Sequence, residues 1–190
     1  MPGLKKTNPS LKRRPFLTPV WLAALAAVVV FSFATWLWGT ADSTTIVVIR
    51  HAEKQAGVSD PPLSPEGTAR AALLARMFGE AAGTPGRIGA IYVSPTQRSR
   101  LTAAPLAAQL GLTPIEVPAD DPVALARRAL HEHEGARVLI VGHADTVPRV
   151  VAALSGGAKD IPPMGDLEYD TMYIVTVPRI GRSNLLRLRY

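Results

Sequence analysis

Residues Phe16 to Gly39, FLTPVWLAALAAVVVFSFATWLWG, form a run of 24 without a charge. At 1.5 Å per residue, about 20 apolar residues span a bilayer core of roughly 30 Å. Trp21 stands near one end of the run, Trp36 and Trp38 near the other, where interfacial tryptophans belong. Lys5, Lys6, Lys12, Arg13 and Arg14 precede it with no acid among them. Such a flank favours a cytoplasmic N-terminus. The expectation is a basic tail over 1–15, a transmembrane signal-anchor over 16–39 and a domain over 42–190. That domain then lies outside the cytoplasm, at the periplasmic face of the inner membrane. A cleaved signal peptide is the competing reading. Its apolar region is usually shorter, about 7–15 residues, yet Gly39-Thr40-Ala41 offers small residues for cleavage after Ala41, which would release the domain. A buried soluble helix would leave the flanking charges and tryptophans as coincidences.

Charge separates the same two parts. Residues 1–41 hold five basic side chains, and the remaining 16 of 21 face all 15 acids in 42–190, leaving +5 and +1. The excess of +6 therefore belongs to the tail, and a nucleic-acid partner, which needs a basic face on the folded body, is not expected. With no cysteine in the chain, a disulfide framework, a thiolate metal site and a cysteine nucleophile are excluded.

Within 42–190 apolar runs alternate with amphipathic stretches. Strands are expected at Thr44–Ile49, Ile88–Val93, Thr113–Val117 and Arg137–Val141. Helices are expected over Ser64–Ala82, with Ser64 as cap, Pro65 at the first position and Gly83 as stop; over Thr96–Leu110, with Pro105 as a bend or break; from Asp121-Pro122 to near Gly135; and over Thr146–Leu154. Leu73, Leu74, Met77 and Phe78 have core spacing. Tyr173–Val177 and Leu185–Leu188 read as a late hairpin at an edge. Four strand–helix units argue for α/β architecture, a mostly parallel sheet with helices on both faces. Gly57–Pro62 and Ala158–Asp166 are loops long enough to border a site.

Ligands of such sheets bind beyond the carboxyl ends of the strands. There the first strand ends on Arg50-His51, the fourth on Gly142-His143, and the second leads to Arg98 and Arg100. Guanidinium groups grip phosphate oxygens and stay charged. An imidazole nitrogen held in one tautomer can attack phosphorus. Together they handle a phosphoryl group with no metal or cofactor. His131 and His133, two apart on a helix, face different sides and make a poor metal pair; a solvated helix end is expected there, and Arg127-Arg128 reads as an exposed face.

Four tracts carry a resemblance: Arg50-His51-Ala52-Glu53; PLSPEGTARA over Pro62–Ala71; SPTQRSRLTA over Ser94–Ala103; and VLIVGHADTVP over Val138–Pro148. In this order they resemble the signature of the histidine phosphatase superfamily, also called phosphoglycerate mutase-like, over essentially all of 44–190. The resemblance implies that fold, His51 as the phosphorylated nucleophile, Arg50 and Arg98 as the phosphoryl grip, and His143 completing the pocket. Leu101 stands where the family often has glutamine, which is tolerated if the position packs.

The proton donor is less plain. One branch of the family takes a glutamate after the second tract, another an aspartate directly after the second histidine, but here Ala144 follows His143. Glu116, Asp120 and Asp121 stand between tracts, with Asp121 better read as a helix cap. Glu53 lies close to His51 in sequence and reads as orienting neighbours. Asp145, one step beyond Ala144, is the candidate acid, although it too could cap a helix. The expected function is metal-independent hydrolysis of phosphomonoesters, or a related phosphorylated group, through phosphohistidine. The alternatives are a phosphoglycerate-type mutase, disfavoured by the small domain, and an inactive scaffold that binds phosphorylated ligands.

Overall fold

The computed structural model describes residues 20–39, 43–57, 59–79, 87–157 and 161–190, with only the backbone for 37–39. The basic tail, the helix stop expected at Gly83 and most of the cleavage tripeptide lie outside these residues. The chain divides into two compact units, Met1–Thr40 and Ala41–Tyr190.

In the first unit, helix α1 runs Val20–Gly39 without a charged residue, and its described side chains, Val20 to Trp36, are all exposed. Among the described residues no helix is long and apolar enough to cross a membrane. The transmembrane expectation for 16–39 therefore gains no support here beyond an apolar helix.

The second unit is built in the order β1 (Ser43–Arg50), α2 (Pro65–Phe78), β2 (Ile88–Val93), α3 (Gln97–Leu110), β3 (Ile115–Glu116), α4 (Pro122–Glu132), β4 (Arg137–Gly142), α5 (Thr146–Leu154), β5 (Thr171–Pro178) and β6 (Asn184–Arg189). The six strands form one sheet in the order β3-β2-β4-β1-β5-β6. β3, β2, β4 and β1 run parallel; β5 and β6 add an antiparallel edge.

Strand periodicity divides the core. From β1, Ile46 and Val48 pack with Ala126 and Ala129 of α4 and with Val147, Val150, Val151 and Leu154 of α5. Val47 and Ile49 point the other way, to Leu74 and Ala75 of α2 and Leu106, Ala107 and Leu110 of α3. Successive strand residues face opposite sides, so β1, apolar at both parities, needs helices on both faces.

Ser64 caps α2 by accepting from Gly67 N–H, with Pro65 in the first turn. Asp121 accepts from the Val123 and Ala124 N–H groups and caps α4. Gly111 closes α3 in the left-handed conformation that glycine adopts freely. Three local expectations change. α2 stops at Phe78, with Gly79 as its cap. Met77 is exposed, and Ala71 and Ala75 take the core positions beside Leu74. Pro105 does not split α3 into two elements: the carbonyl it leaves without a donor, four residues back, belongs to solvent-exposed Leu101, where water can satisfy it.

Candidate active site

Register places the two histidines side by side. Arg50 is the β-partner of Gly142, and the His51 N–H extends that ladder one step by donating to the Gly142 carbonyl at 3.0 Å. The next residue on each strand end is thus His51 or His143. Their rings meet edge to face with centroids 5.3 Å apart.

His51 is buried, 3% exposed. Its Nδ1–H donates to the Ala52 carbonyl at 2.8 Å, which leaves Nε2 with the unshared pair. The Ala52 N–H is held in turn by the Thr102 hydroxyl at 2.9 Å, and that hydroxyl donates to the Arg98 carbonyl at 2.7 Å. The turn after β1 is thereby locked to α3. It is also pressed against α2, where Ser64 N–H donates to Glu53 O at 2.9 Å. A Cβ on Gly67 would stand 2.1 Å from that oxygen, so glycine in PLSPEGTARA permits the approach.

Burial, opposed by the Ala52 bond and reinforced by His143, Arg98 and Arg50, lowers the His51 pKa to about 4. The ring is neutral near pH 7 and its pair is available. Burial and Arg98 also lower the pKa of His143, against the opposing pull of Asp145. One tautomer satisfies all the neighbours of His143. Its Nε2–H donates to Ser94 Oγ at 2.9 Å, Ser94 donates to Ser99 Oγ at 2.7 Å, and Nδ1 accepts from Arg98 Nη2 at 3.5 Å.

Both expected arginines converge on the histidines. Arg50 is 7% exposed, and Arg98 touches His143 while its Nη1 lies 3.5 Å from Asp60. The Nε atoms of both are buried without a partner. Two guanidinium donors directed at no protein acceptor are what an incoming oxyanion requires. Arg100 instead forms an exposed pair with Glu116 at 3.3 Å.

The carboxylates sort by geometry. Asp145 is exposed beside His143 and makes no helix-capping bond with its side chain. Glu53 is spent on Arg70, which donates to both its oxygens at 2.7–3.0 Å. Although burial would raise the Glu53 pKa, the Arg70 bonds leave it lowered. His133 departs from a merely solvated helix end: it is half-buried, with Nε2 3.1 Å from the Tyr92 hydroxyl. Among the described residues no group of three or more His, Cys, Asp or Glu could hold a metal ion.

The sequence did not point to two of the participants. Asp60, in the expected Gly57–Pro62 loop, accepts from Gln97 N–H at 3.0 and 3.1 Å and so caps α3 while facing Arg98; its only sequence signal is an Asp-Pro turn. Tyr169 lies over the Arg50 guanidinium at 4.1 Å and 5.9 Å from the His51 ring; no motif marks it.

Residues 46–120 match the model of the histidine phosphatase superfamily (branch 1). No curated protein sequence matches the chain. Among solved structures, the protein histidine phosphatase SixA complexed with tungstate is similar, with a TM-score of 0.62, 22% identity, and coverage of 76% of this chain and 96% of that one. A mycobacterial hydrolase, hydrolase 2, gives 0.58, 16%, 75% and 89% in the same order. Mycobacterial glucosyl-3-phosphoglycerate phosphatase gives 0.55, 16%, 75% and 97%. At these identities the structures speak for the fold, while the matched tract holds the first histidine and its arginines. The chain is thus similar to the histidine phosphatase superfamily over residues 46–120, fewer than half of its length, and shares the fold of these solved structures.

Proposed function

We propose that the protein is a phosphatase that hydrolyses phosphomonoesters, or a related phosphorylated group, through a phosphohistidine on His51, with neither metal nor cofactor. The observation that carries this reading is the neutral, buried His51 with Nδ1 bonded to Ala52 and a free Nε2, set between two guanidiniums with unpartnered Nε–H groups. The Nε2 pair forms the N–P bond as the P–O bond to the leaving group breaks. Arg50 and Arg98 balance the charge on the equatorial oxygens. His143 contributes from Nδ1, which gains proton affinity when a dianion enters beside it. The leaving oxygen takes its proton from Asp145 or from solvent. Water then attacks phosphorus, the N–P bond breaks, and phosphate departs as His51 regains its pair. SixA is described as a protein histidine phosphatase and another neighbour as a glucosyl-3-phosphoglycerate phosphatase; a phosphorylated protein or a small phosphoglycerate-type ester is the substrate class we draw from them.

The test uses the full chain in detergent with p-nitrophenyl phosphate and EDTA. Phosphate release that persists in EDTA and drops by at least about a thousandfold in His51→Ala supports the reading. Retained vanadate binding with no turnover supports the scaffold, and phosphoryl return to the same substrate without net hydrolysis supports the mutase.

We further propose that residues 16–39 anchor the chain with the 42–190 domain on the extracytoplasmic side. The uncharged run, its tryptophans and the acid-free basic flank support this. Resistance to alkaline carbonate extraction, with the domain open to protease only from the outer side of spheroplasts, is expected. A soluble full-length chain refutes an anchor.

A further inference from the structure

Arg50 stands at the end of β1, yet its guanidinium is held by a segment 115 or more residues away. Its Nη1 donates to the carbonyls of Gly165 and Asp166 at 2.9 Å each and of Glu168 at 3.3 Å. Tyr169 covers the guanidinium face at 4.1 Å. Topology explains the meeting: β5 runs antiparallel beside β1, with Met172 opposite Ile49, so the residues entering β5 arrive where β1 ends.

The segment has its own brace. The Glu168 carboxylate accepts from Gly165 N–H at 3.1 Å, from the buried Thr171 hydroxyl at 2.5 Å and from Arg187 at 2.5 Å. The segment also borders a cleft of about 630 Å³ lined by Arg70, Asp170 and Arg189. The turn that aims three carbonyls at Arg50 is therefore shaped from within by Glu168.

A guanidinium binds an oxyanion best through the Nε–H and Nη2–H fork. Backbone carbonyls and an aromatic face are the partners that fix an arginine without neutralising it: carbonyls carry no net charge, and a ring attracts the cation by its quadrupole. Here the bonds consume Nη1, while Nε remains buried and unpartnered. We propose that Gly165–Tyr169 is an arginine clamp, in which Tyr169 and the Glu168-braced turn preset Arg50 with its fork turned to the phosphoryl group. Tyr169 is thus a positioning residue that acts through Arg50. The inference rests on the phosphatase reading.

The test measures KM for p-nitrophenyl phosphate and the inhibition constant of orthovanadate on the full chain. Tyr169→Leu raises both about tenfold with a smaller change in kcat, as lost ground-state grip does. Tyr169→Phe, which keeps the ring, stays within about twofold of wild type. In an Arg50→Ala background Tyr169→Leu adds nothing, because the two act as one unit. If Tyr169→Leu does not fold, Glu168→Gln, which loosens the brace, raises both constants about threefold. Multiplicative effects of Arg50→Ala and Tyr169→Leu, or a Phe variant as impaired as the Leu variant, overturn the clamp alone. A wild-type protein inert on both measures overturns the phosphatase reading and the clamp with it.

Discussion

Arg50 and Arg98 offer the same guanidinium to one site and are supported in opposite ways. Arg50 is buried among backbone carbonyls and an aromatic face, so its full charge stays in a place of low dielectric. Arg98, in the first turn of α3, leans on the Asp60 carboxylate at 3.5 Å, which is half open to solvent. Asp60 fixes the position but takes back part of the charge. One arginine is held by groups without charge and keeps its whole field; the other is anchored by an ion, and water screens what the ion subtracts.

The largest effects should expose that asymmetry. Arg50→Ala is expected to lower kcat/KM by about a thousandfold and Arg98→Ala by about a hundredfold, since charge in the drier place is worth more. Lysine should rescue neither fully, lacking the fork. Equal losses would break the comparison.

The next effect is on pH. His51 titrates near 6.5 when unfolded and near 4 in the fold, so between those values the unfolded chain binds the extra proton. Its contribution to stability is complete above pH 6.5 and lost as pH falls toward 4. Urea unfolding between pH 4 and 7 should show this slope, reduced in His51→Gln. His143, also lowered, should supply the remainder.

Smaller changes are expected at Asp60. Asp60→Ala removes the α3 cap and should cost about 1 kcal/mol in urea unfolding, whereas Asn caps as well as Asp. Asp60→Asn should thus spare stability and, by releasing Arg98, tighten vanadate a few-fold. An Asn variant as unstable as the Ala variant would show that charge rather than capping matters there. Smallest of all, Leu101→Gln should change stability by less than about 0.5 kcal/mol, because the Leu101 side chain already meets solvent.

Much of this site could be read along the chain because its signals are local. A β-branched run must end somewhere, and the first residue past the end of a parallel strand faces the ligand side. His51 and His143 come from that rule, and Ser64 and Asp121 from capping chemistry. Met77 and the end of α2 escaped because helical spacing names a stripe but not which alanines the sheet leaves room for. Asp60 escaped because its partner, the start of α3, lies 37 residues on.

By itself the sequence determined which residues form strands, which helices cover them, and that imidazole and guanidinium groups gather at one end of a parallel sheet, since periodicity, caps and turn residues act within a few positions. Only the tertiary structure decided which tautomer each histidine holds and which neighbour aims each arginine. The hold on Arg50 depends on β5 inserting antiparallel beside β1, and those on His143 and Arg98 on contacts with Ser94 and Asp60, all between segments that no local pattern brings together.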